Sequence, residues 1–197
     1  MSTRTNSLER LRDLGIDTDA IDFGPTLVGH TAIRPPPAIL KRAHCIAIAS
    51  NVANGFPAEE ARPTVEQLEL GDHLTQDERA VFAGQMSDHD LAAFSYCEEA
   101  ALTMSWALGV APLSPGWIES GELLVRLYDA GVEDLSPRPL AEIEAELDHV
   151  HCALTAARAN PEAARIVGPF FVWRHAALVW MLQPTASWPP APIGFPF

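Results

Sequence analysis

Apolar residues recur at steps of three and four along almost the whole chain, and this period constrains the fold more than any other feature. It is clearest in the run Leu140, Ile143, Leu147, Val150 and Leu154. Such spacing puts the apolar side chains on one face of an α-helix. No segment shows a sustained alternation of apolar and polar residues, which is the pattern of a half-buried strand. The sequence therefore predicts an all-α fold.

Glycine, proline and capping residues mark where these helices begin and end. A proline in the first turn is tolerated because its position has no helical hydrogen bond to lose, and a glycine just after the last turn readily takes a left-handed conformation. Thr75 and Glu78 have the spacing of a capping box. With these signals, helices are predicted at about 8–14, 35–54, 57–70, 75–82, 87–108, 117–130, 139–159 and 169–182.

The length of 197 residues fits one compact multi-helix domain. This domain is predicted to span residues 1–182, of which 1–34 form an N-terminal helix and an extended arm interrupted by glycine and proline. Residues 183–197 form a Pro-rich, apolar tail whose five prolines exclude a helix. Because the tail keeps four large apolar side chains, we expect it to fold back over the domain. The alternative is that it docks on a partner.

The chain is strongly acidic, with a formal charge of −13 from 26 acidic and 13 basic residues. Phosphate backbones and anionic lipids repel a negative protein, so the charge disfavours nucleic acid and membranes as partners and leaves open a basic protein. No stretch is apolar enough for a transmembrane helix or a signal peptide, and the three cysteines are widely spaced. We therefore expect a protein of the reducing cytoplasm, and its oligomeric state stays open.

Three segments of the chain share a set of motifs in a fixed order. They are Glu99-Ala100 with Trp106-Ala107-Leu108-Gly109, His151-Cys152-Ala153 with Ala157-Arg158, and Arg174-His175-x-Ala177-Leu178-x-Trp180. Together they resemble a bacterial family known only as domain of unknown function 4272. The chain departs from that family's usual residue types at Cys97, His149, Cys152 and Trp173. The resemblance implies a single α-helical domain, and it supplies no activity.

Glu99, Arg174 and His175 are the first candidates for a site, because the helices predicted to carry them are strongly apolar. A polar side chain that faces such a core needs a partner. The favoured interpretation is a buried ion pair between Glu99 and Arg174 that sets how two helices pack. The alternative is an acid–base site of an enzyme of unknown reaction, or a small-molecule site, with His151 as a further member.

Glu144, Asp148, His151 and Cys152 form a second constellation along one predicted helix. Carboxylate, imidazole and thiolate groups are all zinc ligands. However, metal motifs such as H-E-x-x-H are absent, and the two acids are expected on the solvated side of the helix. Neither a metal nor another cofactor is therefore predicted. Motifs for nucleophilic catalysis and phosphate binding are also absent, so a non-enzymatic role is favoured.

Acidic residues concentrate in two stretches, 59–78 and 133–148. Such stretches occur on solvated helix faces that keep a protein soluble, but a negative patch also attracts a basic partner. The functional hypothesis is a partner-binding protein, and its sharpest form is an antitoxin or immunity protein that masks a basic effector. The residues predicted to form the patch are Glu59, Glu60, Glu66, Glu69, Asp72, Glu142, Glu144, Glu146 and Asp148.

Overall fold

The computed structural model describes residues 2–113 and 120–188, and all regular structure within these ranges is helical. The α-helices there are α1 (Thr3–Asp13), α2 (Pro36–Ala53), α3 (Ala58–Gln67), α4 (Gln76–Phe82), α5 (Asp88–Ser95), α6 (Glu98–Ala107), α7 (Ser120–Asp129), α8 (Leu140–Ala159), α9 (Pro161–Val167) and α10 (Phe170–Leu182). The prediction of an all-α fold is confirmed. None of these helices is both long and apolar enough to cross a membrane.

The chain divides into two compact units. The first, called here the terminal unit, combines residues 1–33 with residues 138–197 and so contains α1, α8, α9 and α10. The second, called here the central unit, is the continuous segment 34–137, which contains α2 to α7.

α2 is the central helix of the central unit. Every residue from Ile39 to Ser50 except Lys41 is buried, and α3, α4, α5, α6 and α7 all contact this helix. Its one buried arginine, Arg42, pairs with Glu78 of α4. The other carboxylate oxygen of Glu78 closes the predicted capping box at the start of α4. The nearly continuous apolar pattern of this segment therefore predicted a central helix correctly.

One helix predicted from the sequence is two helices in the structure, α5 and α6. In a continuous helix, the Glu99 N–H would donate to the carbonyl of Ser95. Instead it donates to the carbonyl of Tyr96, at 3.2 Å, while the Ser95 carbonyl accepts the hydroxyl of Ser50 from α2, at 2.9 Å. The helix breaks at a tertiary contact, which the local apolar pattern cannot reveal.

Five helices, α1, α2, α3, α4 and α6, end in the same pair of backbone hydrogen bonds, the Schellman motif. This motif places the residue after the helix in the left-handed region, which favours glycine. Four of the five positions hold glycine, namely Gly15, Gly55, Gly84 and Gly109.

α3 departs from this rule because its left-handed position is Glu69, with φ of 52°. The helix ends at Gln67, so the predicted end at residue 70 is wrong. Leu70 is fully buried in a cluster against which Val65 packs, and its N–H donates to the Val65 carbonyl at 2.9 Å. Burial of Leu70 thus determines where α3 ends, although no glycine stands there.

α8 is the central helix of the terminal unit, in contact with α1, α9 and α10, and its predicted apolar seam is buried from Ile143 to Leu154, while Leu140 is half-buried. Sequence analysis missed α9. The Asn160-Pro161 pair, which follows the end of α8, starts α9: Pro161 is its first residue, and the Asn160 side chain accepts from the N–H of Glu162 at 2.8 Å.

Only the first part of the C-terminal tail falls within the described residues. Trp188 packs edge-on against Trp180 of α10, with ring centroids 5.8 Å apart. Residues 189–197 lie outside the described ranges, so the path of the whole tail stays a prediction. The predicted start of α7 near Trp117 also lies outside them.

Candidate binding surfaces

Asp148 lies at the centre of a polar network that joins α8 to the N-terminal segment. Its carboxylate is fully buried and accepts two hydrogen bonds from Arg4, at 2.8 and 3.1 Å, one from the Ser7 hydroxyl, at 2.7 Å, and one from the Leu27 N–H, at 3.1 Å. Burial alone would raise the pKa of Asp148, but the bonds from Arg4, Ser7 and Leu27 bring it below its ordinary value. The carboxylate is therefore charged and fully occupied.

Glu146 lies two residues earlier on α8 and is also buried. It accepts from Arg10 of α1 at 2.8 Å and from Arg174 of α10 at 3.3 Å, and the Arg174 guanidinium lies over the Phe171 ring at 5.2 Å. Burial opposes its ionisation, but Arg10 and the other neighbouring positive charges lower the pKa of Glu146. This carboxylate therefore bridges two helices that both pack against α8.

Glu144 is the third α8 carboxylate with partners in the N-terminal segment, and it binds the arm that follows α1. It accepts from the backbone N–H of His30, at 2.7 Å, and lies 3.1 Å from the ring nitrogen Nδ1 of the same residue. The expectation that Glu144 and Asp148 lie on the solvated side is wrong for Asp148, which is fully buried, and Glu144 is itself half-buried. The physical reason is that the N-terminal segment, distant in sequence, supplies their hydrogen-bond donors.

The histidines of α8 and α10 lie beside this network. His149 is buried against Phe171 of α10, and its Nδ1 atom has no hydrogen-bond partner among the described residues. The rings of His151 and His175 are 6.2 Å apart. Burial, followed by nearby positive charge, lowers the pKa of both His149 and His175 to about 4. Both imidazoles are therefore neutral at pH 7.

The predicted site residues fall in both units. Arg174, His175 and His151 come together in the terminal unit, where Arg174 pairs with Glu146. Glu99 is a half-buried residue of α6 in the central unit. Its predicted ion pair with Arg174 stays a prediction.

The thiols and possible metal ligands give little support to catalytic chemistry. Cys45, Cys97 and Cys152 are all buried, and burial raises the pKa of Cys45 and of Cys152 to about 12. Burial also raises the pKa of Cys97. Thiols like these are protonated at pH 7 and are poor nucleophiles. Within residues 2–113 and 120–188, no three His, Cys, Asp or Glu side chains are grouped so that they could hold a metal ion.

The acids of α3 and the turn after it contrast with those of α8. Their side chains are exposed, and they form no ion pair or hydrogen bond with any residue that the structure describes. We call this set the acidic face, and it consists of Glu59, Glu60, Glu66, Glu69 and Asp72. Of the α8 acids in the predicted patch, Glu142 is exposed and pairs with Arg138, at 3.1 Å. Burial removes Glu146 and Asp148 from the surface, so the predicted patch loses them.

The comparison with protein families agrees with the motifs. A family model described as a domain of unknown function, DUF4272, matches residues 4–190 of the 197-residue chain.

The chain belongs to the DUF4272 family.

No curated protein matches this DUF4272 chain, and no solved structure matches it. What this chain can bind is therefore inferred from the arrangement of its own residues. Sequence analysis missed the partners of the α8 acids, although one signal was available. Arg4, Ser7 and Arg10 are three residues apart, which places all three on one side of α1. A helix side with two arginines and a hydroxyl is suited to a row of carboxylates on a neighbouring helix.

Proposed function

We propose that this protein binds a basic protein partner through the acidic face of α3, and that in its sharpest form it is an antitoxin or immunity protein that masks a basic effector. The observation that carries the proposal is the position of Glu66 and Glu69. Both carboxylates are exposed at the C-terminal end of α3 and are not engaged by any described residue.

Local stability does not account for these two acids. Glu59 and Glu60 stand in the first turn of α3, where the helix dipole stabilises a carboxylate. Glu66 stands in the last turn, where the dipole opposes a negative charge, and Glu69 occupies a left-handed position that favours glycine. The two acids therefore cost stability in the isolated protein. Contact with a positive surface would offset that cost.

The α8 acids support the same choice of surface. Glu144, Glu146 and Asp148 already accept hydrogen bonds from the N-terminal segment, so their negative charges are compensated within the terminal unit. The acidic face has no such internal partner among the described residues and projects a negative field, with Arg62 as the one basic residue of α3. Such a field speeds association with a positive partner and weakens as salt is added.

The test is capture of partners from a lysate of the protein's own host, with matched charge variants as bait. The first variant is Glu59→Gln with Glu66→Gln and Glu69→Gln. The control is Asp13→Asn with Asp17→Asn and Glu162→Gln, which removes three exposed acids from the terminal unit instead. Both variants change the formal charge of −13 by the same amount.

We expect the wild type and the control to retain a basic protein near one-to-one at about 0.05 M salt and to lose most of it at about 0.5 M. The acidic-face variant should retain little of it at either salt concentration. Equal retention of that protein by both variants would contradict the proposal, because the number of charges would then matter more than their place.

A further inference from the structure

α7 presents an apolar stripe to solvent beside the acidic face. Leu123 and Leu127 of this helix are fully buried, whereas Val125 and Tyr128 are 60% and 46% exposed. Val132, in the 3₁₀ turn just after the helix, is 50% exposed. Large apolar side chains grouped on a surface in this way are typical of binding sites, whereas scattered ones are not. We call Val125, Tyr128 and Val132 the α7 stripe.

The α7 stripe and the end of α3 form one continuous surface within the central unit. The Gln67 side chain donates a hydrogen bond to the Tyr128 hydroxyl, which ties the last residue of α3 to the stripe. Beneath this contact, Leu124 packs against the same core cluster as Val65 and Leu68 of α3. Glu66 directly precedes Gln67 and Glu69 follows it by two residues, so both belong to the end of α3 that contacts the exposed tyrosine.

Further acids flank the stripe along its own element. Asp129 and Glu133 are exposed next to Tyr128 and Val132, while Glu122 pairs with Arg126. An apolar centre with a charged rim is the usual anatomy of a protein–protein interface, and tyrosine is frequent among the residues that contribute most of the binding free energy. Because the rim is negative, a second copy of this acidic chain would be repelled.

We propose that the α7 stripe and the acidic rim around it bind a basic amphipathic helix of the partner. Val125 and Tyr128 are spaced by three residues on α7, about 4.5 Å along its axis, and Val132 follows beyond the helix end at Asp129. A partner helix with its apolar residues on one face can cover these side chains, and its flanking lysines and arginines face Glu66, Glu69, Asp129 and Glu133. The inference rests on the proposed function and names the kind of segment that the partner presents.

The probe for the test is a fluorescein-labelled peptide of two heptads of leucine and lysine, with leucines on one helical face. A peptide with the same residues in scrambled order is the control for charge. Binding is measured by fluorescence anisotropy with the full-length protein and two variants. Val125→Ser with Val132→Ser removes the stripe's valines, and Val28→Ser with Ile166→Ser removes two side chains of the terminal unit that are 51% and 41% exposed.

We expect the amphipathic peptide to bind the wild type more tightly than the scrambled one does. The Val125→Ser/Val132→Ser variant should bind it about tenfold more weakly, and the Val28→Ser/Ile166→Ser variant within about twofold of the wild type. Circular dichroism checks that the helix content of both variants is unchanged. Equal affinity for the two peptides, equal effects of the two variants, or no binding to the wild type would overturn the proposal.

The capture experiment separates this inference from the proposed function. If the acidic-face variant loses the basic protein while the Val125→Ser/Val132→Ser variant keeps it, the acidic face binds the partner and the α7 stripe does not. If instead only the stripe variant loses the protein and the peptide, the stripe is the docking site and the electrostatic proposal fails.

Discussion

Glu69 is the residue at which helix termination and surface chemistry conflict. Four of the five Schellman motifs hold glycine in the left-handed position, and α3 holds this glutamate. A side chain in that conformation costs free energy because its Cβ crowds the backbone, and glycine avoids that cost.

We therefore expect Glu69→Gly to raise the free energy of unfolding by about 0.5–1 kcal/mol. Glu66→Gly is the matched control, since it removes the same side chain from within the last turn of α3 and should lower stability by about 1 kcal/mol. Urea unfolding measures both. A destabilised Glu69→Gly variant would show that this carboxylate has a structural partner.

Asp148 is the residue on which the polar network of the terminal unit depends. Asp148→Asn keeps the size of the side chain but removes its negative charge. Arg4 then loses the charged partner of a buried ion pair. We expect a loss of about 3–5 kcal/mol, because the donors around it lose their charged acceptor. Glu142→Gln, on the exposed side of the same helix, should change stability by less than about 1 kcal/mol. Similar effects of the two substitutions in urea unfolding would contradict the role assigned to Asp148.

The buried histidines predict how stability depends on pH. Their pKa falls from about 6.5 in the unfolded chain to about 4 in the folded protein, so the unfolded chain binds more protons between these values. Stability should then fall as the pH is lowered from about 6.5 to about 4, by about 3 kcal/mol for each of His149 and His175. Asp148 and Glu146 have lowered pKa values, so their contributions are lost as the pH falls below about 5, which overlaps the acidic end of this range.

A single substitution isolates this effect. We expect His175→Gln to reduce the slope of unfolding free energy against pH over that range, and His89→Gln, at an exposed position of α5, is the control substitution. Urea unfolding at a series of pH values gives both slopes. An unchanged slope in His175→Gln would mean that this imidazole takes up protons in the folded protein as readily as in the unfolded chain.

At the scale of elements, helix positions followed from apolar period and capping, while several boundaries did not. The capping box at Thr75 and the ends of α1 and α2 before a glycine were all predicted from local signals. The break between α5 and α6 was missed because it depends on a hydroxyl of α2, and the end of α3 because it depends on the burial of Leu70. Ser50 is distant in sequence from Ser95, and so are Cys45 and Ile48, which cluster with Leu70, from the end of α3.

Of the two candidate surfaces, one was predicted from the sequence and the other was not. The acids of α3 were predicted as a patch, and the structure leaves them exposed. The α7 stripe was not predicted, since the sequence shows only that α7 is amphipathic, not which of its apolar residues the neighbouring helices cover. Gln67 and Tyr128 meet because α3 and α7 both pack against α2.

At the scale of the whole molecule, the formal charge of −13 destabilises the folded chain by self-repulsion. Raising NaCl from about 0.02 M to about 0.3 M should therefore raise the melting temperature, since exposed charges are screened more than buried pairs. The Glu59→Gln/Glu66→Gln/Glu69→Gln variant should melt higher at low salt and gain less from added salt. Differential scanning calorimetry measures both, and a melting temperature that falls with NaCl would show that exposed ion pairs outweigh repulsion.

By itself, the sequence determined the helical class, most helix positions, the acidity and the family, because period, capping and motifs are local properties of the chain. Only the tertiary structure decided which acids keep an exposed charge. Asp148 and Glu66 are both carboxylates of acidic stretches, yet Arg4 and Ser7 surround one, and no described side chain neutralises the other. The reason is that a carboxylate's environment depends on donors brought from distant parts of the chain by folding, and no local pattern specifies them.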